Sequence, residues 1–179
     1  MKKLLLTLLL ACTASAYATQ PENANQAKYA QAVQAYTKHN FQAAFRILKP
    51  LAKQGDKTAQ HNLAVLYQDG LGVKADAKQA LYWYEQAANQ GEAEAQFMAG
   101  KMYSDGDGVE QDYAKAVYWY TKAAEQGHNE AQNNLAARYA TGTGVEKNIT
   151  TAKQWYAKAA AQGNAAAAHT LQQLEATFK

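Results

Sequence analysis

Ser104 is the one serine found after residue 18, and no cysteine lies beyond that point, so the choice of nucleophile is narrow. A catalytic serine of the S-x-x-K type needs a lysine one helical turn further on, but Asp107 occupies that position. Serine and cysteine catalysis are therefore disfavoured. We expect a protein that is not an enzyme.

The four histidines, His39, His61, His128 and His169, are the next candidates for chemistry. A zinc site on a helix typically takes two histidines at i and i+4, and no pair here has that spacing. We interpret all four as solvated surface residues. The sequence therefore predicts neither a metal nor a cofactor.

The stretch Ser104-Asp105-Gly106-Asp107-Gly108 superficially suggests a calcium-binding loop. An EF-hand needs a third acidic or amide ligand before its glycine and a glutamate further on, and neither falls in place. The first unit of a repeat, described below, has Asp69-Gly70-Leu71-Gly72 at the same place. The glycines therefore belong to a structural loop.

The N-terminus has the three parts of a secretory signal peptide. Positive charges in Met1 to Lys3 precede the apolar run Leu4 to Leu10, and the small-residue pattern Ala16-Tyr17-Ala18 follows. The run is about half as long as the roughly 20 residues of a spanning helix, so we expect no transmembrane segment. An alternative is a lipid anchor at Cys12, because Leu9-Leu10-Ala11-Cys12 resembles a lipobox. We favour cleavage after Ala18 and a periplasmic protein, with an outer-membrane lipoprotein or a secreted protein as alternatives.

The charge balance argues against binding to nucleic acid. The chain carries 18 Lys and Arg and 15 Asp and Glu, a net charge of +3. Removing Lys2 and Lys3 with the leader reduces this to +1, and the remaining charges are interspersed. Nucleic-acid binding depends on clustered positive charge, so we expect no such partner.

A repeat of 36 residues organises the rest of the chain. Trp83, Trp119 and Trp155 are separated by this interval, and the paired glycines recur with it at Gly70 and Gly72, Gly106 and Gly108, and Gly142 and Gly144. Each unit predicts two helices. The first has its apolar residues four apart, as in Ala59, Leu63 and Tyr67, and ends at the G-x-G-V loop. The second begins at a capping residue, Asp76, Asp112 or Asn148, and Asn40 plays the same part earlier in the chain.

The second helix of each unit predicts a buried stripe at positions i, i+3, i+4, i+7 and i+8. Trp119 belongs to that stripe, and we expect it in the core.

This pattern resembles the Sel-one-like repeat, a relative of the tetratricopeptide repeat. The matching residues in the first unit are Ala59-Gln60, Leu63, Tyr67, Gly70, Gly72, Val73, Ala80, Trp83, Tyr84, Ala87, Ala88, Gln90 and Gly91. The match recurs twice and covers about 108 of the 179 residues. Ala99 in place of Leu, and Ile149 where the second unit has Tyr113, are its departures. Some cysteine-rich members of this family have been linked to β-lactam binding or hydrolysis, but their paired cysteines do not occur here.

The resemblance implies an all-α fold, a right-handed α-solenoid of stacked antiparallel helix pairs with about nine helices. We divide the chain into a signal peptide (1–18), a linker (19–24), a tetratricopeptide-like hairpin (25–54), three repeats (55–90, 91–126 and 127–162) and a C-terminal capping helix (163–179).

Solenoids of this kind present the first helix of each unit on the concave side, where partners dock. The candidate contacts are the variable positions of that helix: His61, Val65 and Gln68, then Phe97, Lys101 and Ser104, then Asn133, Ala137 and Ala140. Among these we select His61, Val65, Phe97, Lys101 and Asn133. Phe97 stands out because its equivalents are polar, and an exposed aromatic suits an interface anchor. The alternative is that Phe97, with Met98, packs against the neighbouring helix.

We therefore predict an exported interaction module that binds a protein or peptide of the cell envelope on its concave face. Cell-wall glycan or muropeptide binding through tyrosine faces is the alternative. Tyr67, Tyr84, Tyr103 and Tyr120, however, lie in the predicted core stripe. A β-lactamase-like hydrolase is a weaker third interpretation, because nucleophile and metal are both lacking in the sequence pattern. The oligomeric state is not predicted.

Overall fold

The structure is a computed structural model that describes residues 21–177, with side chains from residue 25 onward. The predicted signal peptide and Cys12 lie outside the described residues. Nine α-helices and no strands occur between residues 21 and 177. They are α1 (Pro21–Thr37), α2 (Phe41–Lys53), α3 (Lys57–Asp69), α4 (Ala77–Asn89), α5 (Ala93–Asp105), α6 (Tyr113–Glu125), α7 (Asn129–Thr141), α8 (Ile149–Ala161) and α9 (Ala165–Thr177).

The helices pack in the order of the chain, each mainly against the helix before it and the helix after it. This is the arrangement of an α-solenoid, in which every repeat is stabilised by its neighbours. The predicted all-α solenoid is confirmed. Helices α3, α5 and α7 are the first helices of the three predicted repeats, and α4, α6 and α8 are the second helices.

Alanines and large aromatic rings share the core. Buried alanines let the helices approach closely, and the rings fill the space between layers. Tyr84 and Tyr120 are each only 1% exposed, and Trp119 is buried as its spacing predicts. Tyr67 and Tyr103 are buried as well, so the four stripe tyrosines belong to the core.

The helix starts follow the predicted capping chemistry. A side-chain oxygen at the position before each helix can accept a hydrogen bond from an otherwise unpaired backbone N–H of the first turn. Asp76, Asp112 and Asn148 do so for α4, α6 and α8, and Asn40 does so for α2. These four predicted caps are confirmed.

Glycines end the first helices and let successive units approach each other. Gly70, Gly106 and Gly142 adopt the left-handed conformation that ends α3, α5 and α7. The second glycine of each loop also has a positive φ, and its α-carbon faces the backbone at the start of an earlier second helix. A β-carbon on Gly108 would meet Ala77, and one on Gly144 would meet Tyr113. The loop of one unit thus rests directly on the preceding unit.

A chain of glutamine amides links the units. Gln60, Gln96 and Gln132 are buried, and each donates from Nε2 to the carbonyl of an alanine eight residues earlier, over 3.0 to 3.1 Å. Each also accepts, at Oε1, a hydrogen bond of 2.7 to 2.8 Å from the glutamine 30 residues later in the chain. The buried amides are therefore satisfied at both ends, as burial requires.

Candidate partner-binding surface

The predicted contact residues do not form one exposed surface. Val65 and Phe97 are each 6% exposed, and the expectation that they are accessible is wrong. Val65 lies beneath α1, beside Ala32 and Tyr36, at an apolar cavity of about 20 Å³. The added N-terminal helix therefore covers the first repeat at this point.

Phe97 is buried because it packs against the next unit. Its ring stacks on the imidazole of His128, with centroids 4.6 Å apart and planes 21° apart. The Phe97 ring also contacts the ring of Tyr120, with centroids 6.0 Å apart. The alternative interpretation of Phe97, packing against a neighbouring helix, is the one that the structure supports.

His61 occupies the equivalent position in the first repeat and also bridges to the next unit. Its Nδ1 lies 2.9 Å from a carboxylate oxygen of Glu92, the residue that caps α5. Its ring packs edge-to-face on Tyr84 at 5.6 Å. His61 is thus partly buried rather than fully solvated, and so is His128. The residue type at this repeat position therefore varies together with the capping residue that it contacts. His61 contacts Glu92, and Phe97 contacts His128.

An open pocket of about 420 Å³ lies between α5 and α7, and we call it the α5–α7 pocket. Its lining combines residues of two first helices with one residue of the second helix between them and one of the following loop. They are Lys101, Ser104, Asp105, Tyr120, Asn134, Ala137, Arg138, Thr141 and Thr143.

The sequence predicted part of this pocket. Lys101, Ser104 and Ala137 line it, whereas Asn133 does not and its neighbour Asn134 does. Lys101 is exposed at the rim and forms an ion pair of 2.7 Å with Asp105, and this hydrogen bond raises the pKa of Lys101.

Arg138 is the functional candidate that the sequence reasoning missed. Its guanidinium donates from Nη2 to Ser104 Oγ over 2.6 Å and lies 4.7 Å from the centre of the Tyr113 ring. None of the ion pairs among residues 25–177 includes Arg138. An alignment of the repeats could have identified Arg138, because the equivalent residues, Leu66 and Met102, are apolar.

The base of the α5–α7 pocket is a small polar network around the Tyr120 hydroxyl. Burial raises the pKa of Tyr120, while hydrogen bonds from Ser104 and Asn134 and the positive charge of Arg138 act in the opposite direction. Tyr120 is therefore a neutral donor and acceptor at physiological pH. The network can hold a polar ligand group.

No cluster of three or more His, Cys, Asp or Glu side chains suited to a metal ion occurs within the described part of the chain. None of the helices between Pro21 and Thr177 combines the length and apolar character that crossing a bilayer requires.

The family model for the Sel1 repeat matches four consecutive segments, residues 24–56, 57–92, 93–128 and 129–164. The chain belongs to the Sel1 repeat family. Sel1 repeats are helical scaffolds that commonly mediate protein–protein interactions and are generally non-catalytic. In this Sel1 repeat protein, the family model also matches the N-terminal hairpin that we treat as a partial unit. Its three later segments begin two residues after our repeat boundaries.

Two solved structures share more than a third of their aligned residues with this Sel1 repeat protein. A protective antigen of uropathogenic Escherichia coli that displays the SLR fold is 35% identical over 86% of the chain, with a TM-score of 0.81. A Sel1 repeat protein from Oxalobacter formigenes is 36% identical over 79% of the chain, with a TM-score of 0.74. The chain spans 34% of the first protein and 58% of the second.

A more distant structure shares only the fold. The cysteine-rich protein B of Helicobacter pylori is 18% identical over 85% of the chain and 98% of its own length, with a TM-score of 0.52. No curated protein matches the chain.

Proposed function

We propose that this Sel1 repeat protein is an exported scaffold that binds a segment of a partner protein along its concave face, on the first helices α3, α5 and α7. The α5–α7 pocket is the observation that carries this proposal. It is open and lined mostly by polar side chains, and it lies between the first helices of two successive repeats. Shape, hydrogen bonding and the local charge of the pocket, rather than the net charge of the whole protein, would then select the partner.

Export is part of the proposal and rests on the N-terminal pattern of Lys2 and Lys3, an apolar run and Ala16-Tyr17-Ala18. Mass spectrometry of the protein purified from cells tests it. A mature chain that begins at Thr19 supports export to the periplasm, whereas a lipid on Cys12 indicates an anchored lipoprotein. An uncleaved chain in the cytoplasm contradicts the proposal.

Site-specific photo-crosslinking in living cells tests the binding face. A photoreactive amino acid at Thr141, on the rim of the α5–α7 pocket, should capture a discrete protein. The matched control places the same amino acid at Gln154, an exposed residue of the second helix α8. Equal capture from both positions, or capture from Gln154 alone, would contradict the proposed face. The earlier candidate Phe97 is unsuitable for this test because it is buried.

Glycan binding is a second candidate, and one observation favours it. Tyr82 and Tyr118 are 48% and 52% exposed, at equivalent positions of α4 and α6. Exposed aromatic faces at a regular interval suit stacking on sugar rings. Sedimentation with purified peptidoglycan tests this idea: co-sedimentation that is lost when both tyrosines become alanine would support it, and protein that stays in solution would oppose it.

A further inference from the structure

Arg138 replaces an apolar residue at a position where the repeat itself does not need a charge. The equivalent side chains, Leu66 and Met102, are 1% and 2% exposed and belong to the core. A hydrocarbon side chain therefore fits this position in two sister repeats. The third repeat carries instead a guanidinium that opens onto the α5–α7 pocket.

The guanidinium of Arg138 is held in one orientation, but only some of its N–H donors have hydrogen-bond partners. Ser104 Oγ accepts one hydrogen bond from Nη2, and the Tyr113 ring supports the group from one side. Arginine has five N–H donors in a fixed fork, and among residues 25–177 no protein acceptor other than Ser104 Oγ pairs with those of Arg138. An oriented fork with unused donors matches the geometry of a carboxylate.

Arg138 supplies the net charge of the α5–α7 pocket. Lys101 and Asp105 neutralise each other at 2.7 Å and stand on the rim with side chains 52% and 48% exposed. The other polar lining residues, including Asn134, Thr141 and Thr143, are neutral hydrogen-bonding groups. The residues that line the pocket therefore have a net charge of +1, carried by the arginine, and the Asp107 carboxylate lies outside this lining on the Lys101 side.

The place of the pocket in the stack favours a side chain of the ligand over a chain end. Helix α3 precedes the α5–α7 pocket along the row of first helices, and α9 follows it. A bound segment can therefore continue past the pocket in both directions. Such a segment would present the carboxylate of an internal residue.

We propose that Arg138 is a binding residue for the carboxylate of an aspartate or glutamate side chain in an extended partner segment. This inference rests on the proposed function, because it names the chemistry of the segment that the first helices would bind. The Thr141 and Thr143 hydroxyls, which lie 2.8 Å apart, would then accept hydrogen bonds from backbone N–H groups of the segment.

Side-chain NMR of arginine gives a direct test, because the chain contains only two arginines, Arg46 and Arg138. The probe is the blocked peptide acetyl-Gly-Gly-Glu-Gly-Gly-amide, and the matched peptide has Gln in place of Glu. The Arg138 Nε–Hε signal should shift on titration with the Glu peptide, while that of Arg46, exposed on α2, should not. The half-saturating concentration should be about fivefold lower for the Glu peptide than for the Gln peptide. This preference should shrink in about 0.5 M NaCl.

Arg138→Met is the matched variant, because it restores the residue of the second repeat and should leave the fold intact. It should abolish the preference for Glu over Gln, whereas Arg46→Met should keep it. Arg138→Leu, which restores the residue of the first repeat, is a second variant with the same expected result. The NMR titration of the unmodified protein does not depend on either variant.

Three outcomes would overturn the inference. The first is an equal shift of both arginine signals, and the second is an unchanged Glu preference in Arg138→Met. The third uses one more peptide, the Gln peptide with a free C-terminal carboxylate, and is binding of that peptide alone. Photo-crosslinking from Thr141 does not depend on these results, so its success alongside any of them would leave the scaffold proposal standing and remove only the role of Arg138.

Discussion

His128 connects three features at the joint between the second and third repeats. Its Nδ1 accepts the hydrogen bond from the Ala131 N–H that caps α7, over 3.2 Å. Its Nε2 lies 3.0 Å from a carboxylate oxygen of Glu94, and its ring stacks on Phe97. The neutral tautomer with hydrogen on Nε2 satisfies both polar contacts, and we assign it from this network. One side chain thus explains the burial of Phe97.

We predict that Phe97 contributes to stability rather than to partner binding. Phe97→Ala should lower the free energy of unfolding by about 3 to 5 kcal/mol, the usual result of emptying a buried aromatic site. Urea denaturation monitored by circular dichroism measures the change. Tyr118→Ala, at an aromatic residue 52% exposed, is the control and should cost about 1 kcal/mol or less. An unchanged midpoint for Phe97→Ala, with loss of partner capture, would restore the anchor hypothesis.

The contact between His128 and Glu94 predicts a pH-dependent contribution to stability. The hydrogen bond from His128 lowers the pKa of Glu94 below its usual value of 4.5, although burial opposes this shift. A depressed pKa means that the folded state favours the ionised carboxylate. The stabilisation is therefore complete above pH 4.5 and is lost as the pH falls through the folded-state pKa.

Glu94→Gln should reduce stability at about pH 6, and its difference from the unmodified protein should shrink at about pH 3. Urea midpoints at the two pH values measure the effect. Glu130→Gln, on an exposed glutamate in the first turn of α7, is the control. A Glu94→Gln difference that grows as the pH falls would show that the sign is wrong. Because the Glu94 side chain is 49% exposed, we expect the effect to be small.

At the scale of the elements, the loops between helices place two different demands on glycine. Gly127 and Gly144 both have positive φ angles, of 89° and 79°. A β-carbon on Gly127 would meet nothing within 4 Å, whereas one on Gly144 would overlap the backbone of Tyr113. The first position needs glycine for its conformation, and the second needs it for conformation and space.

We expect this difference to appear in alanine variants. Gly127→Ala should cost about 1 to 2 kcal/mol, the penalty for the left-handed conformation. Gly144→Ala should cost about 1 to 3 kcal/mol more, because the loop must also move away from α6. Urea denaturation of the two variants side by side measures the difference. Equal costs would mean that the approach of the loop to Tyr113 is not tight.

The helices themselves could be predicted because each level of the pattern agrees with the others. Apolar spacing, capping residues such as Asp76 and terminal glycines such as Gly70 all fall in one 36-residue phase. Exposure could not be predicted as well, because it depends on contacts about 31 residues away, such as Phe97 with His128. Repeat phase identifies the face of a helix on which a residue lies, but not the side chain that covers it. Arg138 was missed because it was treated as one of many interspersed cations.

At the scale of the whole molecule, stability is distributed unevenly along the stack. The buried residues from Ala32 to Leu135 form one large cluster, and those from Ala136 to Ala167 form a smaller one. Helix α5 buries eight residues, whereas α9 buries one, Ala167. Because each helix is stabilised mainly by its chain neighbours, local opening of the C-terminal end should cost the least free energy.

Native-state hydrogen exchange should therefore show a gradient. Amides of α9 should exchange through a low-energy local opening, and those of α5 and α6 through the largest opening of the molecule. Exchange followed at increasing, subdenaturing urea concentrations measures the free energy of each opening. A single free energy for α5, α6 and α9 would mean that the solenoid unfolds as one cooperative unit.

The chain of glutamine amides that links the units has a direction, and this direction affects how such a protein can lengthen. Gln132 donates to the Ala124 carbonyl of the preceding unit and accepts from Gln162 of its own unit, just as Gln96 accepts from Gln126. Every joint thus presents the same donor and the same acceptor. Duplication of a complete 36-residue unit at any joint recreates the full set of amide bonds, whereas an insertion of another length leaves a buried amide unpaired. Lengthening the stack by whole 36-residue units is therefore the change that preserves this hydrogen bonding.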